Sequence, residues 1–460
     1  MNGRHRVVAA LVIGALAVTA CGAPGTSPSP SASAVASSST SGSTASSAPT
    51  VGASTAPTGD VVWWSMYAEG EPHQVNLAAG IAACEAANPG LKVKVNWAGR
   101  EVVTALQGAL AAGTAVDIVD QSNSRLYNAL VRNDLALPLD DYLAGAPASG
   151  SGTWKGTFTD GAFDTQKGPD GKIYMIPRDD YMRAVFYNRA ILKDAGITPA
   201  LTGMTWDEFK SILSTLKAKG VSPLGFDNDP EYDAFWFFNL AVRLAGLEAV
   251  QAASVDKTGA AWDDPAFLDA AKKVQELVDG GYFQKGFEGS VWPAAQVGWA
   301  TGKNAMMLMG SWLPSEMSDQ LPKGFEIGMF AFPNVPGGKG NDLSEHWSNS
   351  YAVLAGSKNP DGAVAVLKCL TTPTVAAALA GSGSASPLKG IPAAPGLENQ
   401  AGILAAVTSM NSTGGFSRDT PDWENKVFRR CNDEFLLKHI SPEAFIKCLK
   451  EEGIAYWKAN

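Results

Sequence analysis

The stretch from Asp60 to Leu135 alternates two hydrophobic periods, and this alternation limits the fold more than any other feature. "DVVWWSM" is an apolar run of strand length, and "QVNLAAGIAACEAANPG" follows with helical periodicity until Asn88-Pro89-Gly90 stops it. "LKVKVNWAG" alternates apolar and polar residues as a half-buried strand does. "EVVTALQGALAAGTA" reads as a small-residue helix, "VDIVD" as a short buried strand, and "SRLYNALVRNDL" as helix again. A β-α-β-α-β order predicts a mostly parallel sheet covered by helices on both faces.

Further along, "GKIYMIPRDDYMRAVFYNRAILKDAGI" contains two strand runs, Ile173 to Ile176 and Arg183 to Tyr187, parted by Pro177 and the Asp179-Asp180 pair. "TWDEFKSILSTLKAKG" offers a capping box, with Thr205 at the N-cap and Glu208 three residues on. Phe209, Ile212, Leu213 and Leu216 form its apolar face. "AFWFFNLAVRLAG" and "DPAFLDAAKKVQELVDGGYF" are further helices, and "NAMMLMGSW", "FEIGMFAFP" and "YAVLAGS" carry strands. Asn359-Pro360 starts another helix, and the C-terminal quarter is helical. A body of residues 60–460 is long for one core and predicts two lobes.

The N-terminus has a different character. Arg4 and Arg6 precede an apolar or small run from Val7 to Ala20, so residues 1–20 have the parts of a secretory signal. The run is shorter than the ~20 residues of a spanning helix. Val18-Thr19-Ala20-Cys21 resembles the bacterial lipobox, which implies a lipidated Cys21 and an anchor on the outer face of the cytoplasmic membrane. From Gly22 to Gly59 the chain is Ser, Thr, Ala, Pro and Gly, broken only by Val35 and Val51. Such a segment cannot bury enough surface to offset the entropy of ordering, so residues 21–59 read as a tether. A formal charge of −9 argues against nucleic acid as a partner.

Four cysteines remain in the body, an even count in an exported chain. Ser441-Pro442-Glu443 starts a new helix between Cys431 and Cys448, leaving the two cysteines nearly equidistant from the break of a helical hairpin. A disulfide there competes with two buried free thiols, and Cys84 with Cys369 is then the remaining pair.

These landmarks, "ALAAGTAVDIV", "GKIYMIP" with "VFYNRAILKDAGI", "TWDEF", "NAMMLMGSW" and "YAVLAGSKNPDGAVAVLKCL", resemble in order the extracellular solute-binding proteins of bacterial ABC importers, in the carbohydrate-binding group that includes maltose-binding protein. Val116 stands where that pattern usually has proline. The resemblance implies a two-lobed α/β fold of the type II periplasmic-binding-protein kind, with ligand in the inter-lobe cleft, delivery to membrane permease subunits and a monomeric chain. Residues 60–170 with 295–375 are expected in the first lobe, and 171–294 with 376–460 in the second.

A sugar presents apolar C–H faces and rings of hydroxyls, so its site needs aromatic platforms and planar polar partners, set beyond the carboxyl ends of strands. Such residues recur there: Trp64, Tyr67 and Glu69; Asp120 and Asn123; Arg178, Asp179 and Tyr181; and Trp312, while Trp347 stands before the strand "YAVLA". Asp227, Trp236 and Trp292 are further candidates, with the Asp227–Asp229 run. Adjacent tryptophans in a strand face opposite sides, so Trp63 is expected in the core and Trp64 at the ligand.

Two other functions compete: a binding protein for an amine, amino acid or peptide, and a secreted glycan hydrolase. The acidic pairs Asp140-Asp141, Asp179-Asp180 and Asp263-Asp264 are the loose candidates for the latter. "GFSRD" lacks the closing glycine of a nucleophile elbow, and His73, His346 and His439 are far apart with no H-E-x-x-H. "GWATGKN" ends in Asn304 where a P-loop needs Ser or Thr, so no metal, cofactor or catalytic chemistry is expected.

Overall fold

The computed structural model describes residues 57–228, 232–406, 408–410, 416 and 421–460. The signal segment, Cys21, nearly all of the tether and Asp229 lie outside the described residues.

Among the described residues nine strands form the sheet system: β1 (Gly59–Ser65), β2 (Leu91–Trp97), β3 (Ile118–Ser122), β4 (Met175–Asn188), β5 (Ser222–Gly225), β6 (Asn304–Gly310), β7 (Ile327–Phe330), β8 (Leu343–Val353) and β9 (Thr408–Met410). The order is β2-β1-β3-β8-β4-β6-β5, with β7 on β4 and β9 on β8. β1 runs parallel to β2 and β3, as the β-α-β-α-β opening requires. β8 runs antiparallel to β3, and β4 antiparallel to β8, β6 and β7, so the sheet is mixed.

The two strand runs expected around Pro177 are one 14-residue strand, β4. Pro177 lies opposite Ser350 and Asp179 opposite Asn349, so the register slips by one residue at Arg178. A bulge absorbs the missing proline donor, and β8, starting well before "YAVLA", supplies an unbroken partner edge.

The buried apolar side chains form two separate cores. One joins Val61, Trp63, Leu77, Ile118 and Met175 to Tyr351, Leu367, Leu379 and Leu388. The other joins Met182, Phe209, Trp236 and Trp299 to Met306, Phe330, Ala394 and Phe445. This packing moves two expected boundaries. Residues 295–335 belong with the second core, because β6 is bonded to β4 and β5, while 376–388 pack in the first. The chain passes between cores within β4, within β8, and between Leu388 and Ala394.

Local signals behave as the sequence predicts. The Thr205–Glu208 capping box starts helix Trp206–Ala218, which buries Phe209, Leu213 and Leu216. Both disulfides are present, Cys84–Cys369 tying helix Pro72–Ala87 to Pro360–Leu370, and Cys431–Cys448 closing the C-terminal hairpin. Among the described residues no single helix is long and apolar enough to cross a membrane.

Candidate functional site

Strand alternation at the end of β1 turns Val61, Trp63 and Ser65 inward. Trp63 is fully buried, its indole N–H donating to Asp120 Oδ1 at 2.8 Å, with Tyr351 edge-on 5.6 Å away. Trp64 faces the other way and packs half-buried against the first core, outside the cavity.

The bulge aims Arg178 into a buried network. Its Nη1 donates to Asp120, its Nε to Asp179 Oδ2 at 2.8 Å and its Nη2 to the Tyr67 hydroxyl at 3.1 Å. The guanidinium also lies 4.8 Å from the Tyr67 ring centre and 5.2 Å from that of Tyr351. Ser384 Oγ donates to Asp179 Oδ1 at 3.2 Å. Burial opposes the Arg178 charge, but Tyr67, Asp179 and Asp120 outweigh it and hold its pKa well above the usual value. Burial raises the Tyr67 phenol strongly, and the two carboxylates add to this against Arg178.

In front of this network opens a cavity of about 490 Å³. One wall is Tyr67, His73 and the Arg100–Glu71 pair. Arg100 donates to both Glu71 carboxylate oxygens, at 3.1 and 2.6 Å, and to the Met66 carbonyl at 2.6 Å. His73 stacks on Tyr67 at 5.1 Å; burial pushes its pKa below the usual value, against the pull of Asp179, so the ring is neutral at pH 7.

The opposite wall is aromatic. Tyr181 and Trp347 are directly opposed in the β4–β8 ladder and stack with centres 6.1 Å apart. Trp312, two residues past β6, meets Trp347 edge-on at 5.6 Å and Tyr181 edge-on at 6.1 Å. Gly310 makes room for it, since a Cβ there would lie 1.9 Å from the Trp312 ring. Glu316 and Asp319, on the segment after Trp312, complete the rim. Glu316 keeps solvent access at the rim, yet the groups packed around its carboxyl desolvate it and lift its pKa, against hydrogen bonds from Gln296 and Trp292 and the charge of Arg100. A half-open space between aromatic faces and planar polar groups can stack on a ring and bond its edge substituents.

The expected residues divide accordingly. Tyr67, Tyr181, Trp312 and Trp347 line the cavity, and Asp120, Arg178 and Asp179 stand behind it. Trp292 is exposed and is not among the lining side chains; its indole N–H donates to Gln296 Oε1 at 3.2 Å. The others are elsewhere. Glu69 is exposed, and Glu71 holds the place expected for it. Asn123 is buried at the head of helix Asn123–Ala129. Asp227 accepts from Ser290 Oγ at 2.6 Å and the Ala295 amide at 3.0 Å, which caps helix Ala294–Ala300. Trp236 is 1% exposed, locked among Phe209, Phe283 and Phe332.

Sequence reasoning missed His73, Arg100, Glu71, Glu316, Asp319 and Asn349. His73 and Glu71 follow β1 closely enough that the strand-end rule could have found them; Arg100 and Glu316 reach the cavity only through folding. No group of three or more His, Cys, Asp or Glu side chains able to hold a metal occurs among the described residues.

Residues 67–377 match the bacterial extracellular solute-binding protein family. A binding protein of Brucella abortus (strain 2308) is 26% identical over 374 residues, covering 79% of this chain and 85% of its own length. The multiple sugar-binding protein of Streptococcus mutans is 28% identical over 177 residues, 37% of this chain and 40% of the relative. Among solved structures, a chitin oligosaccharide binding protein superposes with a TM-score of 0.70 at 25% identity, covering 86% of this chain and 98% of its own. A solute-binding protein in complex with raffinose gives 0.64 at 20% identity, covering 86% and 99%, and shares the fold.

Proposed function

We propose that this chain, which belongs to the bacterial extracellular solute-binding protein family, captures a sugar in the cleft between its two lobes and passes it to the permease of an ABC importer. The observation that carries the reading is the set of three mutually contacting rings, Tyr181, Trp312 and Trp347, facing Tyr67, His73 and Arg100 across one cavity. Flat apolar faces suit the C–H face of a pyranose, while Asn349, Glu71 and Asp319 are placed to bond its hydroxyls. The relative from Streptococcus mutans and the chitin oligosaccharide binding protein support a saccharide ligand.

The chain acts as a carrier without chemistry of its own. The family match supports this, and the acidic pair member Asp179, with Asp120, is engaged by Arg178 behind the cavity instead of standing free beside a scissile bond. Ligand stabilises a closed arrangement by touching both lobes, and that form docks on the permease. A lipid on Cys21 and the tether after it hold the carrier at the outer face of the cytoplasmic membrane.

Tryptophan fluorescence and thermal shift against a panel of mono- and oligosaccharides test the reading. At least one sugar should shift both, and Trp312→Ala and Trp347→Ala should each weaken it about tenfold or more. An unchanged protein across the panel, with a response to an amine or peptide instead, would sink it; release of product from a glycan would point to a hydrolase.

A further inference from the structure

The charges around the cleft do not balance. Asp120 and Asp179 share the single guanidinium of Arg178, and Glu71 takes up that of Arg100. Glu316 and Asp319 line the same cavity with no ion pair among the described residues. The cavity lining itself therefore carries three acidic side chains, Glu71, Glu316 and Asp319, against one guanidinium, that of Arg100. His73 does not offset this, being neutral, and it is 8% exposed with its Nε2 unbonded at the cavity wall. Aromatic faces make up the opposite wall, and the face of an aromatic ring also attracts positive charge. A cleft with low-dielectric walls and one sign of charge concentrates ligands of the other sign.

The geometry points to an amino sugar, a saccharide carrying a protonated amine, as the ligand class, with Glu316 and Asp319 as the residues that select it over the neutral sugar. This rests on the sugar reading above and adds the charge to it. The rings take the apolar face of the pyranose, and the ammonium lies toward Glu316 and Asp319, the lining carboxylates with no ion pair among the described residues, where its N–H groups donate to carboxylate oxygens. A neutral sugar keeps the stacking and loses the charge-assisted bonds; an anionic sugar meets repulsion.

Matched pairs that differ at one substituent test this in calorimetry: glucosamine against glucose, galactosamine against galactose, and the chitosan disaccharide against cellobiose. In at least one pair the amine should bind about tenfold or more tightly. That preference should shrink as salt is raised, and Glu316→Gln and Asp319→Asn should each reduce the ratio between the two ligands. The salt series on the unaltered chain keeps the test open should a variant fail to fold. Equal or tighter binding of the neutral member in every responding pair overturns the amino-sugar inference and leaves the sugar reading standing. Silence from every saccharide overturns both, whether or not a simple amine such as spermidine binds.

Discussion

Arg178 is the residue on which the centre of the molecule depends. Its side chain is 1% exposed and carries the charge balance for Asp120 and Asp179 together. Removing one partner of a buried ion pair leaves an uncompensated charge in low dielectric, so Arg178→Ala should cost about 3–5 kcal/mol in denaturant unfolding. A loss well under about 1 kcal/mol would show that water reaches the network. Asp233, buried at the head of helix Ala234–Ala245, sets a pH dependence. Burial first and neighbouring Asp433 second push its carboxyl up to about 7, against a hydrogen bond from Asn432. The unfolded chain releases that proton near the ordinary value of about 3.9. The folded state therefore holds an extra proton between roughly pH 4 and 7, and the stability this group contributes, complete below about 4, is lost as pH rises through about 7. Asp233→Asn, which cannot ionise, should melt progressively higher than the unaltered chain as pH goes from 5 to 8. Parallel melting curves across that range would contradict this.

At the scale of elements, the cleft depends on how β4, β6 and β8 end and bend. The bulge at Arg178 re-aims one side chain inward without breaking the ladder that sets Tyr181 against Trp347. Gly310 holds the other half of the aromatic wall. Gly310→Ala should displace the Trp312 ring, weakening sugar binding and changing tryptophan emission; unchanged affinity would mean the ring has another place to lie. The disulfides act on whole helices. Cys84–Cys369 closes a sequence separation of 285 residues and Cys431–Cys448 one of 17. Cross-links restrict the unfolded chain, so replacing either pair with serine should cost about 2–5 kcal/mol. Equal stability of the reduced and oxidised chain would show that packing alone fixes those helices.

Among the described residues three crossings join the two cores, in β4, in β8 and between Leu388 and Ala394. The aromatic wall lies beside the first two of them, so the proposed sugar, touching Tyr67 on one side and Trp312 on the other, would couple the cores directly. Saturating sugar should reduce the radius of gyration in small-angle scattering and raise the melting temperature by mass action. Stabilisation without compaction would place the ligand on one lobe alone.

The sequence by itself determined the signals that act over one turn or one strand. The β-α-β-α-β opening, the Thr205–Glu208 capping box, the Ser441 helix start and the core position of Trp63 all follow from periodicity, cap chemistry and alternation over a few residues. Tyr67 and Trp312, each two residues past a strand, were legible as cavity residues for the same reason, whereas Tyr181 and Trp347 line the cavity from inside β4 and β8, not from the strand ends the sequence suggested. Trp236 and Asp227 were misread because a buried tryptophan and a helix cap have the residue types of a sugar site, and only burial distinguishes them. The tertiary structure decided what depends on distant pairing: the continuity of β4 across Pro177, the membership of β6 in the second core, and the meeting of Arg100 with Glu316 at one cavity. Those outcomes come from contacts between segments far apart in the chain, whose energies no local pattern encodes.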